Sequence, residues 1–407
     1  MKTIRNLLDR CLRYRSFRIL MANLFPFLKR FKIINLIHKL NKGSFSDPYD
    51  IVEGQDIGVF RTYDIDTNKL GSVEKFHIDF RRLIKIEKDY TIGFVMNPDN
   101  YGLNNIKSAC NILGVQYIIY NIKNPSLYRE IVKSVCDGIF IYPVSDNNII
   151  RNVFHEAAQI LSSETKLNIY PSLRELNIYE SKRTLANFLA INDIPHPATS
   201  VFYEYESAKN FLEVSKFPVV FKTHIGASAS GVEILKNKKQ ALKLARQLFF
   251  KYYLRKMEIE KRSIEWGYML LQEYIDEVKE YRVIKIGDSW FGYQKWKNQN
   301  QIFLSGSGMC RMINPREEVL NFCYNIAVKY HFTTMCFDIF ENKQGQFLVN
   351  ELQTWFGSYD PTEMYVDNIP GRYCRLDGKW IFEPGFYNIY GSILLRLTHM
   401  ISLLQQE

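Results

Sequence analysis

Two acids set in apolar strands carry the first chemical signal. In the stretch TTMCFDIFENKQGQFLVNELQTWFG, Thr333 to Gly357, Cys336 to Phe340 reads as one buried strand and Gln346 to Leu352 as the next, with Glu341 to Gly345 turning the chain between them. Each apolar run holds one acid, Asp338 and Glu351. A carboxylate inside a buried strand is costly unless it is paired or binds a metal. On adjacent antiparallel strands the two can point at one spot, and Gln353, two residues past Glu351, shares its face. That oxygen set suits Mg²⁺. The competing reading is two strand-end acids bonded to surface lysines. Asn350 is expected to alternate to the opposite face.

A cation stands at the end of another apolar run. Phe217-Pro-Val-Val-Phe-Lys222 leads into Thr223-His-Ile-Gly-Ala-Ser-Ala-Ser-Gly231. The small residues from Gly226 to Gly231 let backbone N–H groups approach an anion, and lysine is a point charge suited to phosphate. Gly-Lys-Ser/Thr is missing, so this is not a Walker loop. A flexible surface hairpin is the alternative. His224, alone inside the loop, is read as structural. A third stretch, Leu270-Leu-Gln272-Glu273-Tyr274-Ile275, then Glu280-Tyr-Arg282, offers strand-edge backbone groups and carboxylates to a purine and its ribose, and Arg282 to an anion. Taken alone, it is an ordinary strand with an acidic end.

The elements that must position these groups follow from hydropathy period. From Tyr90 the pattern alternates strands (Thr91 to Met96, Val115 to Ile122, Gly138 to Tyr142, Leu167 to Tyr170) with helices (Asn104 to Leu113, Leu127 to Cys136, Ile149 to Leu161), which predicts a small parallel α/β domain. Beyond it come a helix from Ser181 to Ile191 with Lys182 second, strands Ser200 to Tyr203 and Val232 to Leu235, and a helix from Lys239 to Tyr253. Tyr268 to Ile275, Tyr281 to Ile286 and Trp290 to Trp296 read as three antiparallel strands. Arg316 to Tyr330 and Tyr390 to Leu404 read as helices. Residues 51–88, with runs such as Ile57 to Phe60 and Phe76 to Phe80, are expected to add strands.

The chain has 407 residues, enough for two or three domains, and its 46% hydrophobic content marks it as globular. Seven cysteines without a CxxC pair point to a reducing compartment and away from structural zinc. The net charge of +10 sits in residues 1–42, which hold eleven Lys or Arg against one acid, Asp9; the rest balances at 42 against 42. This arm spaces its apolar residues as a helix, with Pro26 dividing it, and has no uncharged 18-residue run that would span a bilayer. It suits the surface of an anionic membrane, or else packing on the body or on a second copy of the chain in a homodimer. No recognition module accompanies the charge, so nucleic acid is not expected as a partner.

The order of the signals is more specific than any one of them. Lys182, Lys222 with its loop, Gln272-Glu273, Glu280 and Arg282, then Asp338 and Glu351 follow one another over about 170 residues. That succession, with the lead-in Tyr179-Glu-Ser-Lys182 and Ile194-Pro-His-Pro197, resembles the ATP-grasp superfamily from Tyr170 to Gly357. The resemblance implies an α/β N-terminal domain followed by an α+β ATP-grasp fold of two lobes, with the basic helical arm in front: arm 1–45, α/β domain 46–175, first lobe 176–265, second lobe 266–407. It implies ATP and Mg²⁺ as cofactors. Lys182 and Lys222 would hold the α- and β-phosphates, and Ser228 and Ser230 would cover the β- and γ-phosphates. Gln272, Glu273, Tyr274 and Ile275 would frame adenine, Glu280 would meet ribose, and Asp338 and Glu351 would hold Mg²⁺. The family usually has asparagine where Gln353 stands, and Gln353 is taken as the third metal ligand.

The activity implied is an ATP-dependent ligase: a carboxylate becomes an acyl phosphate and an amine displaces phosphate. Lys222 and Arg282 are the expected catalytic cations; Lys295 and Arg311 are further candidates for the acyl phosphate, each more readily read as a surface charge. Phe303 to Gly308 would line the reaction centre, and Ser358, Tyr359 and Asp360 would face the acceptor. The expected partners are small-molecule or glycan-linked carboxylates and amines. The expected location is the cytoplasm, peripheral to the membrane if the arm binds it, where a cell-envelope or polysaccharide intermediate would be the substrate. A kinase on the same fold, acting on a small molecule or glycan, and a non-catalytic nucleotide-binding protein are the alternatives.

Overall fold

The parallel strands form where the apolar runs are continuous. The computed structural model describes residues 76–407, apart from Tyr101, 145–147, 227–230, Tyr252, 255–263, 297–308, 312–313, 359–360 and Glu407. The basic arm and the expected strand Ile57 to Phe60 lie outside these residues. Phe76 to Phe80 is not a strand: Asp79 caps a helical turn, α1 (Phe80–Leu83), by accepting from the Arg81 N–H. Then come β1 (Thr91–Met96), α2 (Gly102–Leu113), β2 (Gln116–Asn121), α3 (Leu127–Lys133), β3 (Gly138–Ile141), α4 (Asn148–Glu164) and β4 (Asn168–Tyr170). All four strands are parallel, in the order β2-β1-β3-β4. Phe94, Met96 and Phe140 enter one core with Ile106 and Cys110 of α2. Val95, Ile139 and Ile141 enter another with Phe154 and Leu161 of α4. Coverage of both faces explains the unbroken apolar runs. The chain leaves β1 toward β2 on one side and reaches β3 on the other, so the sheet's switch point lies between β1 and β3.

The helix α5 (Leu173–Ile178), not foreseen, starts with a capping box between Ser172 and Glu175. After α6 (Lys182–Ile191) come β5 (Thr199–Phe202), α7 (Tyr205–Val214), β6 (Val219–Lys222), β7 (Val232–Leu235), α8 (Lys238–Phe250), the short pair β8 (Tyr253–Leu254) and β9 (Ile264–Glu265), and β10 (Met269–Glu273). The second sheet runs β5-β10-β6-β7 and is antiparallel throughout. This corrects the reading of three consecutive antiparallel strands. β10 returns to the first lobe, between β5 and β6, while its two successors pair elsewhere. Alternation in a sequence gives a strand's faces, not its neighbours.

The third sheet is built from β11 (Lys279–Ile286), β12 (Ser289–Trp296), β13 (Met309–Arg311), β14 (Thr334–Glu341), β15 (Phe347–Gln353), β16 (Tyr365–Val366), β17 (Ile369–Leu376) and β18 (Lys379–Pro384). Its order is β15-β14-β11-β12-β17-β16, with β13 beside β12 and β18 beside β17. Helix α9 (Glu317–Lys329) covers one face through Val319, Leu320 and Cys323 against Phe337 and Ile339. On the other side Ile284, Ile286 and Cys336 share a core with helix α10 (Ile393–Leu404) and with Phe94 and Ile106 of the parallel domain. No helix among the described residues is long and apolar enough to cross a membrane.

Candidate active site

Register places the charges of the third sheet in one row. Arg282 of β11 faces Asp338 of β14, and Asp338 faces Glu351 of β15. Glu280, two residues before Arg282 and on its face, sits opposite Lys295 of β12. Arg282 donates Nε and Nη2 to the two Asp338 oxygens at 2.8 and 3.0 Å. Lys295 Nζ lies 2.7 Å from Asp338 Oδ2 and 2.6 Å from Glu280 Oε1. Burial alone would raise the Asp338 carboxyl, but Arg282 and then Lys295 outweigh it and hold the group well below the usual carboxylate range. Lys295, expected as a surface charge, is 7% exposed. It stands in the network because β12 lies directly against β11.

A bulge brings in one more residue. The ladder pairs Asp338 with Glu351 and then Ile339 with Val349, so Asn350 has no partner of its own. Two residues of β15 thus stand against one of β14, and strict alternation is lost. Lys222 Nζ donates to Asn350 Oδ1 at 2.8 Å, while Lys182 Nζ lies 3.1 Å from Glu351 Oε1. Consecutive residues therefore meet the two lysines, and the expectation that Asn350 turns to the far face is overturned.

The lysines come from the first lobe. Lys222 ends β6, held between Leu270 of β10 and Val232 of β7. Burial pulls its ammonium down to about 8, and Lys182 adds to the fall against the pull of Glu351. Lys182 opens α6, its N–H bonded to the His224 carbonyl at 2.9 Å and its Nζ to the Gly226 carbonyl at 2.5 Å. Glu180, not foreseen, accepts from the Gly226 N–H at 3.0 Å. Glu180 and Lys182 thus hold the N–H and the C=O of one loop residue, Gly226. Thr223 N–H closes the loop's base on the Gly231 carbonyl at 2.8 Å. A Cβ at Gly231 would fall 1.7 Å from Thr223 Oγ1, so the base admits only glycine. Ser228 and Ser230 lie outside the described residues, as do Phe303 to Gly308, Tyr359, Asp360 and the Arg311 side chain. Burial, then Arg183 and Lys182, pulls the His224 imidazole down to about 3, so it is neutral at pH 7.

The nucleobase residues sit where the chain passes between sheets. β10 belongs to the second sheet and β11 to the third, so residues 274–278 cross from one to the other. Gln272 is buried and donates to Thr199 Oγ1 at 3.0 Å. Glu273 is exposed, and Tyr274 and Ile275 are half-buried in the crossing. Glu280, expected at ribose, is 3% exposed and bonded to Lys295, which turns it into the charge network instead.

Asp338 and Glu351, the two acids expected to hold a metal, stand directly opposite each other, and four cations (Lys182, Lys222, Arg282, Lys295) surround them. An Mg²⁺ would enter this ring together with the phosphates that offset those charges. Gln353 does not fit as its third ligand here. The Glu180 N–H donates to Gln353 Oε1 at 3.0 Å, and Gln353 Nε2 donates to Glu351 Oε1 at 2.9 Å. The amide oxygen, the atom a metal needs, is thus turned to the backbone of Glu180.

Residues 180–359 match the RimK-like ATP-grasp domain family. The chain carries an ATP-grasp domain. The matched span of this domain holds every described group of the phosphate and carboxylate ends. The comparison with curated proteins returns no match. Among solved structures, N5-carboxyaminoimidazole ribonucleotide synthetase from Thermotoga maritima is 18% identical over 65% of this chain and 68% of its own, with a TM-score of 0.44. A RimK-domain ATP-grasp protein from Sphaerobacter thermophilus is 14% identical over 64% and 90%, with a TM-score of 0.43. The ATP-grasp ligase PsnB, complexed with minimal precursor, Mg and ADP, is 15% identical over 65% and 88%, with a TM-score of 0.41. These scores are too low to add weight, and the assignment stands on the domain match and on the site's order along the chain.

Proposed function

We propose that this protein is an ATP-dependent, ADP-forming ligase that activates a carboxylate as an acyl phosphate and passes the acyl group to an amine. The observation that carries the reading is the meeting of Lys182 and Lys222 from the first lobe with Glu351 and Asn350 from the third sheet, beside a carboxylate already held by Arg282 and Lys295. Lys182 contacts the Glu351 carboxylate and Lys222 the Asn350 amide oxygen, and a polyphosphate would bring these two buried ammoniums further negative charge. ATP would lie with its purine at residues 272–275 and its phosphates between Lys182 and Lys222.

Mg²⁺, held by Asp338 and Glu351, would supply charge neutralisation on the transferring phosphoryl group. The chain's own residues do the rest. Lys182 and Lys222 fix the chain of phosphates, and Lys222 offsets charge that builds on the leaving ADP. Arg282 and Lys295, locked by Asp338 and Glu280, present a rigid cationic edge to the acyl phosphate, so no reorganisation is needed at the moment of transfer. One substrate carboxylate oxygen bonds to the γ-phosphorus as its bond to the β-phosphate oxygen breaks. The amine then bonds to the acyl carbon, phosphate leaves, and the amine loses a proton.

Hydroxylamine tests this reading, since it traps an acyl phosphate as a hydroxamate. Incubation with Mg-ATP, hydroxylamine and carboxylic acids should give hydroxamate and ADP in equal amounts. A stable phosphorylated product with no hydroxamate would instead favour a kinase.

A further inference from the structure

Arg396 in α10 has no exposed surface. Its Nε donates to Ser392 Oγ at 2.9 Å, one turn earlier. Among the described residues, Nη1 and Nη2 donate no hydrogen bond, although both atoms are buried. The guanidinium lies 4.2 Å from the Trp355 ring centre and 5.0 Å from that of Phe356. Stacking engages the faces of the group and leaves its edge donors unspent. The Glu175 carboxylate acts on Arg396 electrostatically but is committed elsewhere: Oε1 accepts from the Thr333 and Thr334 N–H groups, both at 2.6 Å, and Oε2 from Ser172 N–H at 2.8 Å. A buried cation with its edge unused is costly unless a ligand supplies the acceptor.

The position of Arg396 says which ligand. Trp355 packs edge-on against Tyr142, 4.6 Å between centroids, and Tyr142 is the first residue past β3. The Tyr142 ring reaches Gly102 at the start of α2, where a Cβ would come within 2.5 Å of it. Asn105 Nδ2 and Ser358 Oγ both approach Gly391, at 3.6 and 3.5 Å from where its Cβ would stand. Gly102 and Asn105 follow the end of β1 and Tyr142 the end of β3, so these groups lie at the sheet's switch point, where ligands of open α/β sheets bind. Cys336 neighbours both Arg396 and the phosphate centre. It lies two residues before Asp338 on the same face, its Sγ 4.0 Å from Asp338 Oδ1, and it is within electrostatic reach of both Arg282 and Arg396.

We propose that Arg396 anchors a second carboxylate of the acyl substrate, so that the acid this site takes is a dicarboxylate with its far end beside Trp355 and its reacting end at Arg282. Two terminal N–H groups side by side match the two oxygens of a carboxylate. The half-buried Phe356 forms the outer wall of this subsite. The role of the reacting end rests on the ligase reading; the anion subsite itself does not.

The test is calorimetric titration of the full chain with succinate, glutarate and butyrate, which differ in the second carboxylate, and with inorganic phosphate. Wild type, R396M and R396K are compared, with Mg-ATP binding and thermal melting as controls of folding. The expected result is a preference of about tenfold or more for at least one diacid over butyrate. That preference should vanish in R396M and shrink in R396K, while Mg-ATP affinity stays within about twofold in all three. A wild type without the preference overturns the proposal, as does R396M that keeps it, or R396K that binds diacids like wild type where R396M fails to fold. Phosphate binding tighter than either diacid also overturns it. Failure of the ligase reading would look different: the diacid would bind through Arg396 yet give no hydroxamate with hydroxylamine and Mg-ATP.

Discussion

At Asp338, one carboxylate satisfies an arginine fork and a lysine at once, with almost no solvent contact. Removing its charge leaves two buried cations uncompensated, so Asp338→Asn should cost about 3–5 kcal/mol in urea denaturation. Lys222 makes a different prediction, one of pH. Its ammonium, lowered to about 8 by burial and by Lys182, must be charged to hold phosphate. Below pH 8 the free enzyme already carries the proton. Above pH 8 binding must take one up, so Mg-ATP affinity should fall by up to about tenfold per pH unit there. Lys222→Met should weaken Mg-ATP binding by about 10- to 150-fold, the equivalent of one charged hydrogen bond, and abolish that slope. Calorimetry between pH 7 and 9.5 reads both. A slope that survives in Lys222→Met would place the titrating group elsewhere.

At the level of elements, the phosphate loop depends on a base that only glycine can close. Gly231→Ala brings a methyl onto Thr223 and should force the hairpin apart, raising the KM for ATP at least about tenfold while the melting temperature stays near that of wild type. The strands that position the site were largely legible, because apolar runs such as Thr91 to Met96 and Met335 to Phe340 are buried on both faces. What was not legible is pairing. Nothing in Tyr268 to Ile275 says that it returns to the first lobe, and nothing in Val349-Asn350-Glu351 announces the bulge that turns Asn350 toward Lys222. The hairpin β17–β18 escaped although its signal was present. Asp377-Gly378 joins the two strands with positive φ at both residues, as a tight hairpin turn requires. Arg396 and Lys295 look like any surface cations in sequence, and only tertiary packing buries them.

At the scale of the molecule, the described residues belong to one compact unit, Phe60–Glu407, in which the second and third sheets bring their charged groups together. Lys182 of α6 and Lys222 of the second sheet meet the groups of the third sheet, where Arg282 and Lys295 stand, so anion binding should tie the lobes together. Mg-ATP at about 100 times its Kd should add about 2.7 kcal/mol of stability, and Glu351→Gln should lose most of that gain. Thermal unfolding with and without nucleotide checks this. The most direct test is a crystal structure with Mg²⁺ and a non-hydrolysable ATP analogue. The account predicts phosphate oxygens within hydrogen-bonding distance of both Lys182 Nζ and Lys222 Nζ, and the ion between Asp338 and Glu351. Phosphates bound away from these two lysines, or an ion that touches neither carboxylate, would contradict it.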